Sequence, residues 1–288
     1  MTSSVTSAHT IITGGSSGIG LAIAQHLVAQ GMSVTLIARD QARLQQAKAT
    51  LEQIDSEQTT SSSVKQPDKT APKAPPQVLT VSADVSDRAQ ATQAIQSAIA
   101  QFGPPSQLIT SAGIAQPGHF EQLSVDVFEE AMAVNYFGTL YCIQAVLPAM
   151  QQQGYGKIAL ISSGAGLIGL YGYSAYGASK FAVRGLAESL RAEFKPMNIS
   201  VSIAYPPDTD TPQLAAENLT KPAATKQITA TASLWSAEAV AQKIVQGMAK
   251  GQFEISPGHE ISILTRMHSL ISPLLNRYFD RIVARSKG

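Results

Sequence analysis

The fold is decided by residues 9–38, HTIITGGSSGIGLAIAQHLVAQGMSVTLIA. His9 to Thr13 is a short apolar run typical of a strand, and Ser33 to Ala38 is a second one. Between them, a glycine-rich loop opens a segment with helical periodicity. Glycines let the backbone approach a phosphate closely, and a helix start offers unpaired N–H groups. We therefore predict that a dinucleotide is bound by Gly14, Ser16, Ser17, Gly18, Ile19 and Gly20.

The residues after the second strand bear on which dinucleotide is bound. An acidic side chain at this point favours a free ribose 2′-hydroxyl, whereas an arginine favours a 2′-phosphate. Arg39 comes directly after the strand, so we predict NADPH rather than NADH. Asp40 leaves an alternative open, because a carboxylate that reached the ribose would reverse this preference.

Strand and helix patterns continue to alternate along the chain. Further strands are predicted at Val78–Ala83, Leu108–Ile109, Ile158–Ile161, Ile199–Ala204 and Phe253–Ser256. Strands separated by helices favour a parallel sheet. We predict an α/β fold, a doubly wound parallel sheet of the Rossmann type flanked by helices, over residues 1–258.

Two segments of this domain depart from the pattern. Residues 55–77 are dominated by Ser, Thr, Gln, Lys and Pro, and a segment so poor in apolar residues cannot offset its ordering entropy by burial. We predict a flexible polar insertion there. Leu214–Leu234 is less regular and could form a lid over a substrate.

Residues 157–195 carry the candidate chemistry. Tyr176 and Lys180 are four residues apart, so they share one face of a helix. An ammonium beside a phenol favours the phenolate, so we predict that Lys180 lowers the pKa of Tyr176 and that the pair transfers a proton. Ser162 or Ser163 could hold a carbonyl oxygen against the phenol. The alternative is that these side chains only pack, cap or face solvent.

Other small or polar residues lie where strands end. Asp84, followed by Val85, could accept a bond from an adenine amino group or cap the next helix. Gly113 would let the chain run close to a cofactor. Thr209 and Thr211 follow the sixth strand, at the edge where open α/β sheets bind ligands, and could contact a nicotinamide amide or a phosphate.

The long helical stretch Val125–Met150 has one interior polar residue of interest, Asn135. A buried amide needs hydrogen-bond partners. Asn135 is therefore either a relay to Lys180 through water or an ordinary core amide.

Composition excludes several classes of function. The chain has 21 basic and 20 acidic residues and a net charge of +1, so no nucleic-acid partner is expected. Cys142 is the only cysteine, which excludes an internal disulfide and a cysteine-rich metal site, and we predict no metal. Neither a secretory signal nor a membrane-spanning run is present, so we expect a cytoplasmic protein.

The tail, residues 259–288, has apolar residues at helical spacing with basic residues beside them. We predict a C-terminal amphipathic helical appendage, divided into two helices by Pro273. Such a tail could lie on a membrane surface, or it could pack on its own domain or on a partner subunit.

These motifs together resemble the short-chain dehydrogenase/reductase family, over about residues 9–257. The resemblance rests on Gly14-x-x-x-Gly18-x-Gly20, Asp84, Asn135, Ser163, Tyr176 and Lys180. It implies that Ser163 orients the carbonyl, with Ser162 as the alternative, and that Tyr176 donates the proton. It further implies that Lys180 holds the ribose, that Asn135 positions a relay water, and that the chain forms a homo-oligomer.

Within that family, AYPPDTDTP at residues 204–212 is similar to the reductases of long-chain sphingoid ketones. This resemblance implies NADPH-dependent reduction of a lipid-like ketone to a secondary alcohol, peripheral to a membrane. Two alternatives stay open. One is another apolar ketone, such as a steroid, retinal or 3-oxoacyl compound, and the other is a catalytically idle dinucleotide-binding scaffold.

Overall fold

The structure, a computed structural model, describes residues 8–61, 75–230 and 233–286. Its strands are β1 (His9–Thr13), β2 (Ser33–Ala38), β3 (Val78–Ser82), β4 (Gln107–Thr110), β5 (Gly156–Ile161), β6 (Ile199–Ala204), β7 (Thr209–Asp210), β8 (Trp235–Ser236) and β9 (Glu254–Ile255). Seven of them form one sheet in the order β3-β2-β1-β4-β5-β6-β9, and every neighbouring pair is parallel. The predicted parallel sheet is confirmed.

Helices cover both faces of this sheet. They are α1 (Gly18–Ala29), α2 (Gln41–Ser61), α3 (Arg88–Phe102), α4 (Val125–Ala131), α5 (Gly138–Gln153), α6 (Ser174–Phe194), α7 (Pro212–Thr220), α8 (Ala223–Thr229), α9 (Ala237–Ala249) and α10 (His259–Ser286). A π-helical turn, Met132–Phe137, joins α4 to α5. Buried apolar residues of α1, α2 and α9 form the core on one face, and those of α3, α5 and α6 form it on the other. The doubly wound arrangement is therefore also confirmed.

The strand order reverses between β1 and β4, and loops that leave such a point diverge to leave a crevice. The loop after β1 contacts the loop after β4 directly. A Cβ added at Gly14, whose φ is +67°, would lie 2.7 Å from the backbone nitrogen of Ala112. Only glycine fits this close approach, and it places the glycine-rich loop at the mouth of the crevice.

Two segments differ from expectation. Helix α2 continues to Ser61, into the stretch assigned to the polar insertion. Residues 62–74 of that insertion lie outside the described residues, so its flexibility stays a prediction. The segment after Leu214 is largely helical, in α7 and α8.

The prediction that Pro273 divides the tail was wrong. Helix α10 is continuous from His259 to Ser286 with Pro273 inside it. A proline removes one backbone hydrogen bond and crowds the preceding turn, which can bend a helix without ending it. The helix begins at the residue where the tail was predicted to begin, but its status as a separate appendage stays a prediction.

Candidate active site

A cavity of about 620 Å³ opens at the carboxyl ends of the sheet strands. It collects almost every predicted site residue. Those that line it are Gly14, Ser16, Ser17, Gly18, Ile19, Gly20, Arg39, Asp84, Val85, Gly113, Ser163, Tyr176, Lys180, Thr209 and Thr211. Only Asn135, of the predicted set, is not part of the lining.

The start of α1 has the features of a phosphate site. Ser17 is its N-cap residue, yet the Ser17 side chain makes no capping hydrogen bond, and the first turn holds no acidic residue. A Cβ at Gly20 would clash with the carbonyl oxygen of Gly14, so this turn closes tightly only around glycine. The backbone N–H groups and the partial positive charge of the helix start therefore fit a pyrophosphate.

Two arginines, Arg39 and Arg43, line the cavity next to the end of β2. Arg39 lies 3.9 Å from Asp84, measured from Nη1 to Oδ2, and its side chain is 60% exposed. Asp40 accepts a hydrogen bond from the backbone N–H of Arg43 at 3.0 Å and lies 3.5 Å from its Nε. The Asp40 carboxylate is thus held at the start of α2. Arg43 also lines the cavity and was missed, although a second arginine so soon after Arg39 was a usable signal.

Asp84 is engaged locally, but not as a helix cap. Its Oδ1 accepts from both the backbone N–H and the hydroxyl of Ser86, at 2.9 and 2.7 Å. The N-cap of α3 is Asp87, whose carboxylate accepts from Ala89 and Gln90. The capping alternative for Asp84 was therefore wrong, and its contact with an adenine stays a prediction.

Tyr176 and Lys180 lie in the first turns of α6, and both are buried. The Lys180 Nζ donates a 3.0 Å hydrogen bond to the carbonyl oxygen of Ile161 and lies 5.5 Å from the centre of the Tyr176 ring. Burial lowers the pKa of Lys180 to about 8, an effect that the charge of Glu217 opposes. The pair shares one face of the helix, as predicted.

The predicted lowering of the Tyr176 pKa was wrong. Burial raises the pKa of this phenol above its ordinary value, and the negative charge of Glu217 raises it further, while hydrogen bonding with Ser163 and Gln213 works in the opposite direction. The prediction from sequence gave the ammonium more weight than the opposing loss of hydration, and it did not include a carboxylate brought in by α7.

The two serines after β5 have different surroundings. The Ser162 hydroxyl is buried and donates to the carbonyl oxygen of Lys180 at 3.1 Å, so it has a structural partner in α6. The Ser163 hydroxyl accepts from the N–H of Ala165 at 3.2 Å, which leaves its own proton available to the cavity. This arrangement favours Ser163 over Ser162 as the residue that orients a carbonyl.

Asn135 lies in the π-helical turn and is buried. Its Oδ1 accepts from the N–H of Ile114 at 2.9 Å, and its Nδ2 donates to the carbonyl of Ile114 at 3.0 Å and to Ser179 Oγ at 2.8 Å. The amide thereby fixes the chain just after Gly113 and ties it to α6. A link from Asn135 to Lys180 through water stays a prediction.

The two threonines after β6 both line the cavity, and both also make local bonds. Thr211 is the N-cap of α7 and accepts from the N–H of Leu214 at 3.3 Å. Thr209 donates to the carbonyl oxygen of Pro207 at 2.8 Å. Their contact with a nicotinamide amide or a phosphate stays a prediction.

Sequence reasoning missed a polar group on α7 that faces Tyr176. Glu217 is buried, and its carboxylate accepts from the hydroxyl of Tyr173 at 2.6 Å and from Nε2 of Gln213 at 2.9 Å. All three residues line the cavity. The spacing of Gln213 and Glu217, one helical turn apart, was visible in the sequence, but nothing local indicated which way that helix faces.

Comparison with known families decides what kind of protein has this site. A family model described as short chain dehydrogenase matches residues 8–70 and 57–222, which is more than half of the chain. The chain belongs to the short-chain dehydrogenase family. This membership makes it an oxidoreductase with a nicotinamide dinucleotide as cofactor, which agrees with the glycine-rich loop and the position of Tyr176 and Lys180.

Several members of the short-chain dehydrogenase family are similar over most of their length. The 3-ketodihydrosphingosine reductase of Bos taurus is 41% identical over 93% of this chain and 76% of its own. The 3-dehydrosphinganine reductase of Danio rerio is 42% identical over the same shares. A solved structure, levodione reductase, has the same fold, with a TM-score of 0.74, 23% identity and coverage of 86% of this chain and 95% of its own.

The helices were also compared with what a lipid bilayer requires. Across residues 8–61, 75–230 and 233–286, no helix is both long enough and apolar enough to cross a membrane.

Proposed function

We propose that this short-chain dehydrogenase reduces a long-chain ketone to a secondary alcohol with NADPH, and that the ketone is 3-ketodihydrosphingosine, a precursor in sphingolipid synthesis. The observation that carries the reaction class is one cavity that holds both the glycine-rich loop and the Ser163, Tyr176 and Lys180 side chains. The names and high coverage of the similar reductases support the substrate.

The side chains divide the chemistry between them. When bound, the dinucleotide supplies the hydride that reduces the carbonyl carbon. The Tyr176 hydroxyl donates a proton to the carbonyl oxygen, and the Ser163 hydroxyl holds that oxygen in place. A raised pKa keeps Tyr176 in its neutral, proton-donating form. The ammonium of Lys180, one helical turn away, stabilises the phenolate that proton transfer leaves behind.

The nucleotide end of the cavity favours NADPH. Arg39 and Arg43 supply two guanidinium groups beside the end of β2, where a ribose 2′-phosphate would lie. Asp40, which could have preferred a free 2′-hydroxyl, is turned toward Arg43 instead. A phosphate at this position would meet positive charge and no free carboxylate from Asp40.

The decisive experiment is a ketone panel with the purified protein, followed by the loss of NADPH absorbance. 3-Ketodihydrosphingosine should give the highest kcat/KM, compared with steroid, retinal and 3-oxoacyl ketones, and NADPH should be preferred to NADH. A higher kcat/KM for one of the other ketones would reject 3-ketodihydrosphingosine as the substrate but would leave the proposed ketone reduction standing. Failure to oxidise NADPH with any ketone would favour an idle scaffold.

The tail supports contact with a lipid surface. Exposed apolar side chains recur along one side of α10: Ile263, Met267, Leu270, Leu274 and Tyr278. Arg266, Arg277, Arg281 and Arg285 occur along the same helix. This pattern fits a helix lying in a membrane interface. Flotation with anionic vesicles should retain the protein, and a Leu270→Asp, Leu274→Asp variant should stay in solution, whereas unchanged flotation would reject this role for α10.

A homo-oligomer is proposed through the helices beside the active site. Phe137 and Phe181 are 40% and 42% exposed there, and the Phe137 ring stacks on Tyr141. Exposed aromatic groups of this kind are enriched at subunit contacts. Light scattering should give a mass above that of one chain, and Phe181→Glu should lower it. A single-chain mass for the wild type would exclude the oligomer.

A further inference from the structure

The end of the cavity next to Tyr176 contains a cluster of charged side chains. The Lys221 ammonium lies 3.7 Å from Asp208 Oδ2 and 3.9 Å from Glu217 Oε2. The side chains of Lys221 and Glu217 are only 1% and 9% exposed. Two carboxylates thus share the Lys221 ammonium, and the charge of Glu217 also acts on the buried ammonium of Lys180. A buried charge of this kind is costly unless a partner balances it.

Of the two carboxylates, Glu217 is the one connected to the proton donor. Its Oε1 accepts from Gln213 and its Oε2 accepts from the Tyr173 hydroxyl. The Tyr173 ring lies 5.6 Å from the Tyr176 ring, centre to centre. Gln213, which donates to Glu217, lines the same cavity as Tyr176. Asp208, with 34% of its side chain exposed, is closer to solvent.

The proposed substrate would place a positive charge at this point. In 3-ketodihydrosphingosine a primary amine is bonded to the carbon next to the carbonyl carbon. When the carbonyl oxygen lies against the Tyr176 hydroxyl, the amine nitrogen must therefore lie within a few ångströms of that hydroxyl as well. We propose that Glu217 binds the protonated amine of the substrate and so selects 2-amino ketones. This inference rests on the proposed function and names the residue that reads the substrate.

The same carboxylate would act against other ketones. A steroid, retinal or 3-oxoacyl ketone has no ammonium next to its carbonyl. Such a ligand would cover the Glu217 carboxylate without placing a positive charge beside it. Specificity then comes from the penalty on the wrong ligand as much as from the contact with the right one.

The test compares two ketones that differ only in the amine, using short-chain analogues for solubility. The wild type should give a higher kcat/KM for the 2-amino ketone than for the same ketone with hydrogen in place of the amine. Glu217→Gln should reduce that preference about 10- to 100-fold, the effect of removing one charged partner from a hydrogen bond. Asp208→Asn should reduce it less, and Glu188→Gln, an exposed carboxylate paired with Arg184, should not change it.

Binding provides a measurement that does not depend on turnover. In the presence of NADP⁺, the wild type should bind a short-chain 2-amino-1,3-diol more tightly than the 1,3-diol that lacks the amine, and Glu217→Gln should remove the difference. Equal affinity of the wild type for the amino diol and the amine-free diol would overturn the role of Glu217 while leaving the proposed ketone reduction intact. The wild-type comparison decides even if Glu217→Gln does not fold.

The proposed ketone reduction and the proposed amine contact of Glu217 can be rejected independently. Absence of turnover with both ketones, together with a preference for the amino diol, would reject the proposed reaction but keep the amine site. Loss of the preference in Asp208→Asn and its retention in Glu217→Gln would move the amine contact to Asp208 and overturn the proposal for Glu217.

Discussion

The two ends of the cavity are built in different ways. At the nucleotide end, loops follow β1 to β4, and the lining is backbone and small residues such as Gly14 and Gly20, with Arg39 and Arg43 beside them. At the reacting end, side chains from α6 and α7 lie close together, and the charge of Glu217 on α7 shifts the pKa values of Tyr176 and Lys180 on α6. Local sequence is therefore enough to form the first end, whereas the second depends on how distant helices pack.

The largest effect is expected at the reacting end, from Tyr176→Phe. The variant keeps the ring and loses the proton donor, so turnover should fall about 100- to 10,000-fold, the usual contribution of a general acid. NADPH affinity should stay close to the wild type, measured by fluorescence. Tyr155→Phe, at a 49% exposed tyrosine, is the matched control and should keep full turnover. Wild-type turnover in Tyr176→Phe would take that residue out of catalysis.

A change remote from both ends should affect stability alone. His9 is buried in β1, bonds to Thr35 Oγ1 at 2.9 Å and has its pKa lowered from 6.5 to about 4 by burial. As pH falls from 6.5 to 4, the unfolded chain takes up a proton that the folded chain excludes, so folding stability should fall by about 3 kcal/mol.

Urea unfolding measured across this pH range tests the assignment. His9→Gln should flatten the slope of unfolding free energy against pH, whatever its effect on absolute stability. His26→Gln, at a partly exposed histidine of α1, serves as the control. An unchanged slope in His9→Gln would place the titrating group elsewhere.

A single added methyl group should disrupt the structure of the nucleotide end of the cavity. In Gly20→Ala the new Cβ meets the carbonyl oxygen of Gly14, so the turn must open, and overpacking of this kind costs about 1–3 kcal/mol. NADPH affinity and thermal stability should both fall. Gly185→Ala is the matched control, because its Cβ would meet nothing within 4 Å and alanine favours a helix. Equal behaviour of the two variants would show that the turn tolerates opening.

The smallest effect is expected from Arg39→Ala. Loss of one guanidinium from the proposed 2′-phosphate contact should reduce the ratio of NADPH to NADH affinity by about tenfold, near 1.4 kcal/mol, and Arg43 should retain part of the preference. Arg88→Ala, at an exposed arginine of α3, should leave the ratio unchanged. A ratio unaffected by Arg39→Ala would mean that this side chain only faces solvent.

The sequence predicted the sheet and the position of the glycine-rich loop well because their signals are local. Apolar runs and glycines report on the few residues around them. The pKa of Tyr176 was predicted in the wrong direction because burial and Glu217 both depend on tertiary packing. The continuity of α10 was missed for a related reason. A proline in the sequence indicates a local loss of helix stability, but whether the helix continues past it depends on its surroundings.

The small pairing of β7 with β8 has a wider consequence. It joins Thr209 to Trp235 and Asp210 to Ser236, so the excursion that carries α7 and α8 leaves and returns at one fixed base. Changes within α7 and α8 would therefore act mainly on the reacting end, where Glu217 influences Tyr176, while the pairing at the base keeps the ends of the excursion in place. Sequence changes in this excursion are therefore a route by which evolution or protein engineering can alter the substrate specificity of the enzyme.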